Sequence, residues 1–279
     1  MPLRLAFNSA VQQLTDAHVG SPRLNAEILL MFVLNCDRAY LYAHPERELT
    51  PDEESQYQEA LRRRASGFPS QYITGHQEFW GLDFIVTPAV LIPRPETEHL
   101  IEIVLPKAKE LNHPRIADVG TGSGCIAVTL AKELSEAEIH ATDISPDALE
   151  IAKANAARYP FAQRIQFHQT DLLSGLPQNY FDFIVSNPPY VGESEEDSVQ
   201  FEVRKFEPRT AVFSGPKGTE VIERLIQQAQ AALKQRGALL MEISGTIVEG
   251  VKELLSSWEN VEITNDLQGI PRVVSALKA

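Results

Sequence analysis

Two short stretches carry residue types suited to chemistry on a flat nitrogen: Asn187-Pro188-Pro189-Tyr190 and, upstream, Asp118-Val119-Gly120-Thr121-Gly122-Ser123-Gly124. An amide or aromatic amine lends its lone pair to a π-system and is a poor nucleophile. A catalyst must therefore grip both N–H hydrogens and aim the nitrogen. Asn187 offers a side-chain carbonyl acceptor, and the carbonyl of Pro188 offers a second. Consecutive prolines fix φ, and they remove backbone donors that would be wrong opposite an –NH₂ group. Tyr190 can stack on a planar group. Near-attack geometry of this kind supplies several kcal/mol, up to roughly 7–11 kcal/mol in ideal systems. The bland alternative is a Pro-Pro turn that ends a strand, with Asn187 satisfying backbone groups.

The glycine stretch sits where an apolar run hands over to a helical one, so Gly120, Gly122 and Gly124 permit a tight turn and close backbone approach to a ligand. The spacing is not that of a dinucleotide fold, and no Lys-Ser/Thr follows as in a phosphate-binding loop. Asp143 ends the next strand, where a carboxylate can accept from two ribose hydroxyls. Asp171 ends the third strand at a height suited to an adenine amino group, with Leu172 to pack on the ring. Either acid alone could simply begin a helix or a turn. Together they describe an adenosine pocket without a phosphate cradle, which fits S-adenosylmethionine, leaving as S-adenosyl-L-homocysteine. The expected cofactor contacts are Gly120, Thr121, Gly122, Ser123, Gly124, Asp143, Asp171, Leu172 and Asn187, with Asp118 orienting the loop or the ligand's amino group.

The elements that position these residues follow from periodicity. Strand-like runs fall at 116–119, 139–142, 165–168, 181–185, 238–243, 261–264 and 273–276, with helical runs at 125–133, 146–158, 219–235 and 248–258 between most of them. Such alternation predicts an α/β domain around a mostly parallel sheet. Residues 1–75 show helical spacing only. Thr50-Pro51-Asp52-Glu53 is a capping box with proline at the first helical position, and that helix should end near Ser66. Residues 76–93 flank a Gly81-Leu82-Asp83 turn with aromatic and β-branched residues, which predicts a linking β-hairpin. Residues 94–279 complete the larger domain. Pro106 should kink or split the helix that begins near Arg94. Residues 191–216 read as the longest irregular stretch.

Composition narrows the class. The chain has 279 residues, 43 % of them apolar, and a net charge of −13. Residues 1–75 hold 7 Lys/Arg against 9 Asp/Glu, a net of −2, so −11 lies in the remainder. A field of this sign opposes non-specific binding to nucleic acid. Arg62-Arg63-Arg64 is the only triple basic run, either a solvated helix end that complements the dipole or a contact for an acidic partner. No stretch reaches the roughly 18–20 apolar residues that span a bilayer, and no leader pattern opens the sequence. Cys36 and Cys125 lack disulfide or metal spacing, and the histidines are scattered, so no metal is expected. A cytoplasmic monomer is the expectation.

Nearly the whole chain resembles the PrmC/HemK glutamine methyltransferases. The general part of the resemblance is the glycine loop, Asp143, Asp171 and Asn187-Pro188-Pro189-Tyr190. The more specific part is Gln71-Tyr72-Ile73-Thr74-Gly75, Leu91-Ile92-Pro93-Arg94-Pro95-Glu96-Thr97-Glu98 and Glu207-Pro208-Arg209. The resemblance implies a seven-stranded Rossmann-like methyltransferase sheet behind a small N-terminal helical domain that binds peptide-chain release factors. It implies methylation of the side-chain amide nitrogen of the glutamine in their Gly-Gly-Gln loop. Asn187 and Pro188 would hold that amide, and Arg94 to Thr97 would shape the entrance to the site. The chain departs from the family pattern at Glu242-Ile243-Ser244-Gly245-Thr246, where Glu-x-Gly followed by Gln is expected; the departure weakens any role for this loop but leaves the donor pocket and the acceptor motif unaffected.

Two other acceptors stay open on residue chemistry. A sibling enzyme modifies a glutamine of a ribosomal protein. A nucleic-acid enzyme would use Asn-Pro-Pro-Tyr equally well on an exocyclic base amine, although acidic charge and the lack of an evident basic target-reading domain oppose it. A binding module with a vestigial pocket is disfavoured because both motifs are intact.

Overall fold

The structure is a computed structural model that describes residues 1–279. It divides into two compact units. The first comprises Met1–His76 together with Phe201–Phe206, and the second comprises Gln77–Gln200 and Glu207–Ala279.

In the first unit, helices Leu3–Asp16, Pro22–Leu34 and Pro51–Ala65 turn their apolar faces onto Leu14, Leu29, Leu30, Tyr57 and Leu61. Thr50 caps the third helix as its sequence predicts: Glu53 N–H donates to Thr50 Oγ1 at 3.2 Å, and Thr50 N–H donates to Glu53 Oε2 at 2.8 Å. The buried Tyr57 hydroxyl donates to Ala26 O at 2.9 Å, and burial pushes its pKa well above the usual phenol range. The basic run is not a uniform solvated face. Arg64 is buried, donating to Asn25 Oδ1 at 2.7 Å and to Glu202 Oε1 at 2.5 Å, while Arg63 lies over the Phe68 ring. Glu202 belongs to the short helix Phe201–Phe206, whose Phe206 ring meets Phe68 edge-on at 5.1 Å.

The second unit begins with a hairpin of strands β1 (His76–Phe79, its first residue belonging to the first unit) and β2 (Leu82–Ile85). Its turn is Trp80-Gly81, both residues at positive φ, rather than Gly81-Leu82-Asp83. A two-residue turn of this kind matches the twist of paired strands, so Leu82 and Asp83 are released into β2. The main sheet contains β3 (Arg115–Val119), β4 (Glu138–Asp143), β5 (Gln166–Gln169), β6 (Phe181–Ser186), β7 (Leu233–Glu242), β8 (Glu259–Asn265) and β9 (Pro271–Leu277). Their order is β5-β4-β3-β6-β7-β9-β8, parallel except for β9, which runs antiparallel between β7 and β8. All seven expected strands are present. The chain leaves β3 for β4 on one side and later returns to β6 on the other. This reversal opens a crevice at the carboxyl ends of β3 and β6, where ligands of open α/β sheets bind.

Three helical expectations need correction. The helix expected to reach residue 235 stops at Ala232, because Leu233 pairs with Phe181 at the start of β7 and sheet pairing overrides helical periodicity. The next helix covers Val248–Leu254 rather than reaching residue 258; Leu255 and Trp258 close a turn that buries both against the core. Pro106 does not split helix Glu98–Ala108, which runs on through it for two more residues. The stretch 191–216 is not irregular throughout. It contains a 3₁₀ segment at Glu193–Ser198 and short helices at Phe201–Phe206 and Arg209–Val212.

One buried polar residue joins the hairpin to the glycine loop. Asn155 lies in helix Pro146–Ala157 and is fully buried. Its Oδ1 accepts from Ile85 N–H at 2.7 Å, and its Nδ2 donates to Ile85 O and Ser123 O, both at 2.9 Å. Replacing it with alanine strands three backbone groups. The expected cost of Asn155→Ala is about 3 kcal/mol of unfolding free energy. Urea denaturation measures this, and a loss below about 1 kcal/mol, the scale of an exposed bond, would contradict the role.

Candidate active site

The carboxyl ends of β3, β4, β5 and β6 converge on one crevice. It holds a cavity of about 300 Å³ whose walls include Gly120, Thr121, Gly122, Ser123, Asp143, Asp171, Leu172, Asn187, Pro189, Thr97 and Arg94. The loop after β3 folds back on β4, with Gly120 N–H and Thr121 N–H both donating to Thr142 O, at 2.9 and 2.8 Å. Gly120 has φ of +72°, and a Cβ built on it would meet no protein atom within 4 Å. Its hydrogen therefore leaves room for a ligand rather than for packing. Gly124 has a different reason. At φ +82° it ends the turn into helix Cys125–Glu133, and a Cβ there would lie 3.2 Å from Ala152 Cβ.

Asp143 braces this loop. Its Oδ2 accepts from Gly122 N–H and its Oδ1 from Ser145 N–H, both at 2.9 Å, so the carboxylate is fixed at the cavity wall. Desolvation raises its pKa, while the Ser145 and Gly122 N–H groups oppose the rise. Beneath the loop Asp118 is fully buried. Its Oδ2 accepts from Thr121 Oγ1 at 2.6 Å and from Ala127 N–H at 3.1 Å, while Oδ1 has no protein donor. Desolvation pushes its pKa up to about 7, against the pull of those two donors. Burial likewise raises the Cys125 thiol to about 12, so this cysteine is a packed side chain and not a nucleophile.

Asp171 reaches the same cavity but is half exposed and ion-paired with Arg224. Leu172 lines the wall beside it at φ +55°, an unusual backbone state for leucine. The only basic residues on the wall are Arg94 and Arg224, and each is already held by a carboxylate, Glu207 and Asp171 respectively. Glu207 also accepts from Ile92 N–H at 3.2 Å, so this buried acid pins the 92–94 segment. A wall of fixed carboxylates, an apolar leucine and an open glycine suits a nucleoside with a cationic tail better than a phosphate.

At the acceptor end, Asn187 and Pro189 face the cavity, whereas Pro188 is buried and Tyr190 sits behind them, packed against the core. Asn187 Nδ2 donates to Thr97 Oγ1 at 3.0 Å. Thr97 Oγ1 donates to Glu242 Oε2 at 2.6 Å, and Tyr190 OH donates to Glu242 Oε1 at 3.1 Å. Glu242 is fully buried at the end of β7. Desolvation raises its pKa, with Glu96 adding to the rise, while the two hydroxyl donors and Arg272 oppose it. The weakened role expected for the 242–246 loop does not extend to Glu242, which anchors Tyr190 directly and Asn187 through Thr97. Spacing could not show this, because Thr97, the Asn187–Tyr190 motif and Glu242 are far apart in sequence.

Comparison with known proteins agrees with this geometry. Residues 6–75 match the family model described as the PrmC N-terminal domain, and residues 96–204 match the methyltransferase small domain. A release factor glutamine methyltransferase of Koribacter versatilis is 56 % identical over 279 residues, covering 100 % of this chain and 99 % of the relative. The chain belongs to the release factor glutamine methyltransferase family. A member from Moorella thermoacetica is 41 % identical over 281 residues, with 100 % and 99 % coverage. Among solved structures, the hMettl16 catalytic domain bound to an MAT2A 3′UTR hairpin superposes with a TM-score of 0.58 at 19 % identity, covering 78 % of this chain and 81 % of that one. At that identity the likeness concerns the fold alone. The larger unit is thus an S-adenosylmethionine-dependent methyltransferase domain.

Asp143 carries the loop bracing and faces the cavity, so Asp143→Ala is expected to weaken S-adenosylmethionine binding by about 10-fold or more, the scale of losing charge-assisted hydrogen bonds. Titration calorimetry measures it, and unchanged affinity would count against the assignment.

Proposed function

We propose that this protein transfers a methyl group from S-adenosylmethionine to the side-chain amide nitrogen of the glutamine in the Gly-Gly-Gln motif of peptide-chain release factors. The observation that carries the proposal is the Asn187 amide, tethered through its Nδ2 and facing the cavity that the glycine loop and Asp143 also line. The names of the full-length relatives supply the substrate class.

When bound, S-adenosylmethionine supplies an electrophilic sulfonium methyl and departs as S-adenosyl-L-homocysteine. Asp143 accepts the ribose hydroxyls with its remaining lone pairs. Asp171 and Leu172 meet the adenine edge and face, and the glycine loop, with Thr121 and Ser123, lies along the donor. Asn187 Oδ1 accepts one N–H of the substrate carboxamide, and the Pro188 carbonyl accepts the other. Pro189 stiffens the turn, and Tyr190, held by Glu242, supports the planar group. Arg94, held by Glu207, forms the rim. As the N–CH₃ bond forms the S–CH₃ bond would break, and positive charge would pass from sulfur to nitrogen. The acidified N–H would then lose its proton to solvent water, leaving a neutral N-methyl amide. Aiming, rather than strong base catalysis, is the main contribution of these residues.

The N-terminal helical unit is proposed to bind the release factor, and the protein to act as a cytoplasmic monomer without direct contact to nucleic acid. No helix is long and apolar enough to cross a membrane. Incubation with labelled donor and purified release factor, ribosomal protein or RNA, followed by mass spectrometry of the product, tests the acceptor. Label on the Gly-Gly-Gln glutamine is expected, and label confined to RNA or to a ribosomal protein would overturn the proposal. In the same assay Asn187→Ala is expected to lower turnover by about 100-fold or more with cofactor affinity near normal.

A further inference from the structure

Glu242, Thr97 and Asn187 form a directed relay. Glu242 Oε2 receives the Thr97 hydroxyl hydrogen at 2.6 Å, and Thr97 Oγ1 receives Asn187 Nδ2 at 3.0 Å. Glu242 and Thr97 are both buried, so water does not compete for these bonds. We propose that Glu242, acting through Thr97, is a positioning residue that sets which end of the Asn187 amide meets the substrate; this rests on the reading that the substrate is a carboxamide.

The polarity follows from counting hydrogens. Both oxygens of Glu242 already accept a hydroxyl, from Thr97 and from Tyr190, and a hydroxyl has one hydrogen to give. With that hydrogen committed to Glu242, Thr97 Oγ1 can only accept on its other side. The asparagine end facing it must therefore be the NH₂, and Oδ1 is left for the two-hydrogen nitrogen of the acceptor. The opposite amide orientation would set NH₂ against NH₂. Tyr190 OH, donating to the other oxygen of Glu242 at 3.1 Å, occupies the carboxylate so that it cannot turn away from Thr97. Asparagine is a neutral side chain whose two ends have nearly the same shape, so packing alone does not choose between them. The buried acid makes the choice.

The relay makes a sign prediction that simple support of the fold does not. Thr97→Val keeps the shape and removes the hydroxyl, so kcat toward release factor should fall about 10- to 100-fold while KM for S-adenosylmethionine changes little. Thr97→Ser restores the hydroxyl and should recover activity to within about 3-fold of the unaltered protein. Glu242→Met removes the acceptor but leaves Thr97 free to donate to Asn187 Oδ1, which turns the amide the wrong way. Adding Thr97→Val to Glu242→Met should then raise kcat, although the same change lowers it when Glu242 is present.

The full-length protein, its thermal midpoint and its affinity for S-adenosyl-L-homocysteine are measured alongside. Wild-type-like turnover of Thr97→Val, or failure of Thr97→Ser to recover, overturns the relay, and these two variants decide the matter even where Glu242→Met does not fold. A folded double variant slower than Glu242→Met also overturns it. Failure of the unaltered protein to methylate the glutamine overturns the reading beneath it, a result distinguishable because it needs no variant.

Discussion

A carboxamide nitrogen offers two hydrogens and almost no free lone pair, so a site that methylates it must be built of acceptors held still. On the proposed reading, that constraint organises the turn at Asn187. Asn187 is tethered by its donor end, its neighbours Pro188 and Pro189 carry no backbone N–H, and the tether runs back to a buried acid at the end of β7. The sheet makes the arrangement possible. Reversal of strand order between β3 and β6 opens the crevice, and parallel strands bring the chain to the same edge after each crossing.

Burying acids is costly, and in the larger unit three buried acids each have a specific compensation. Asp118 spends one oxygen on the Thr121 hydroxyl and the Ala127 N–H at the base of the glycine loop. Glu242 divides its two oxygens between Thr97 and Tyr190. Glu207 gives one to the Ile92 N–H and pairs with Arg94. An uncompensated buried carboxylate would favour its neutral form or unfold its surroundings. The loops that shape the cavity are thus tied down by hydrogen bonds to buried acids. The first unit uses a comparable device, with buried Arg64 joining Asn25 to Glu202 in helix Phe201–Phe206.

Much of this was legible in the sequence. Seven strand runs, the Thr50 capping box and the glycine loop all appear where residue pattern places them, because each depends on local periodicity or local backbone freedom. That Asp143, Asp171 and Leu172 come together was legible for the same reason, since strand ends can be counted, and they line one cavity. The misreadings share a different cause. Leu233 leaves its helical pattern because Phe181 offers a strand partner, and Gly81 pairs with Trp80 in the turn because β2 needs Leu82. Thr97 and Glu242 were missed as partners of Asn187 because only the tertiary fold brings them together. Arg64 looked like one of three surface arginines until Asn25 and Glu202 supplied a buried pocket for its guanidinium.

The most direct test of the whole account is a crystal structure of the protein with S-adenosyl-L-homocysteine and a release factor bearing its Gly-Gly-Gln loop. The account predicts Asn187 Oδ1 about 3 Å from the glutamine side-chain nitrogen, within hydrogen-bond range, with Nδ2 still on Thr97. A glutamine whose nitrogen lies beyond about 4 Å from Asn187, or one that meets Nδ2 instead, would contradict it.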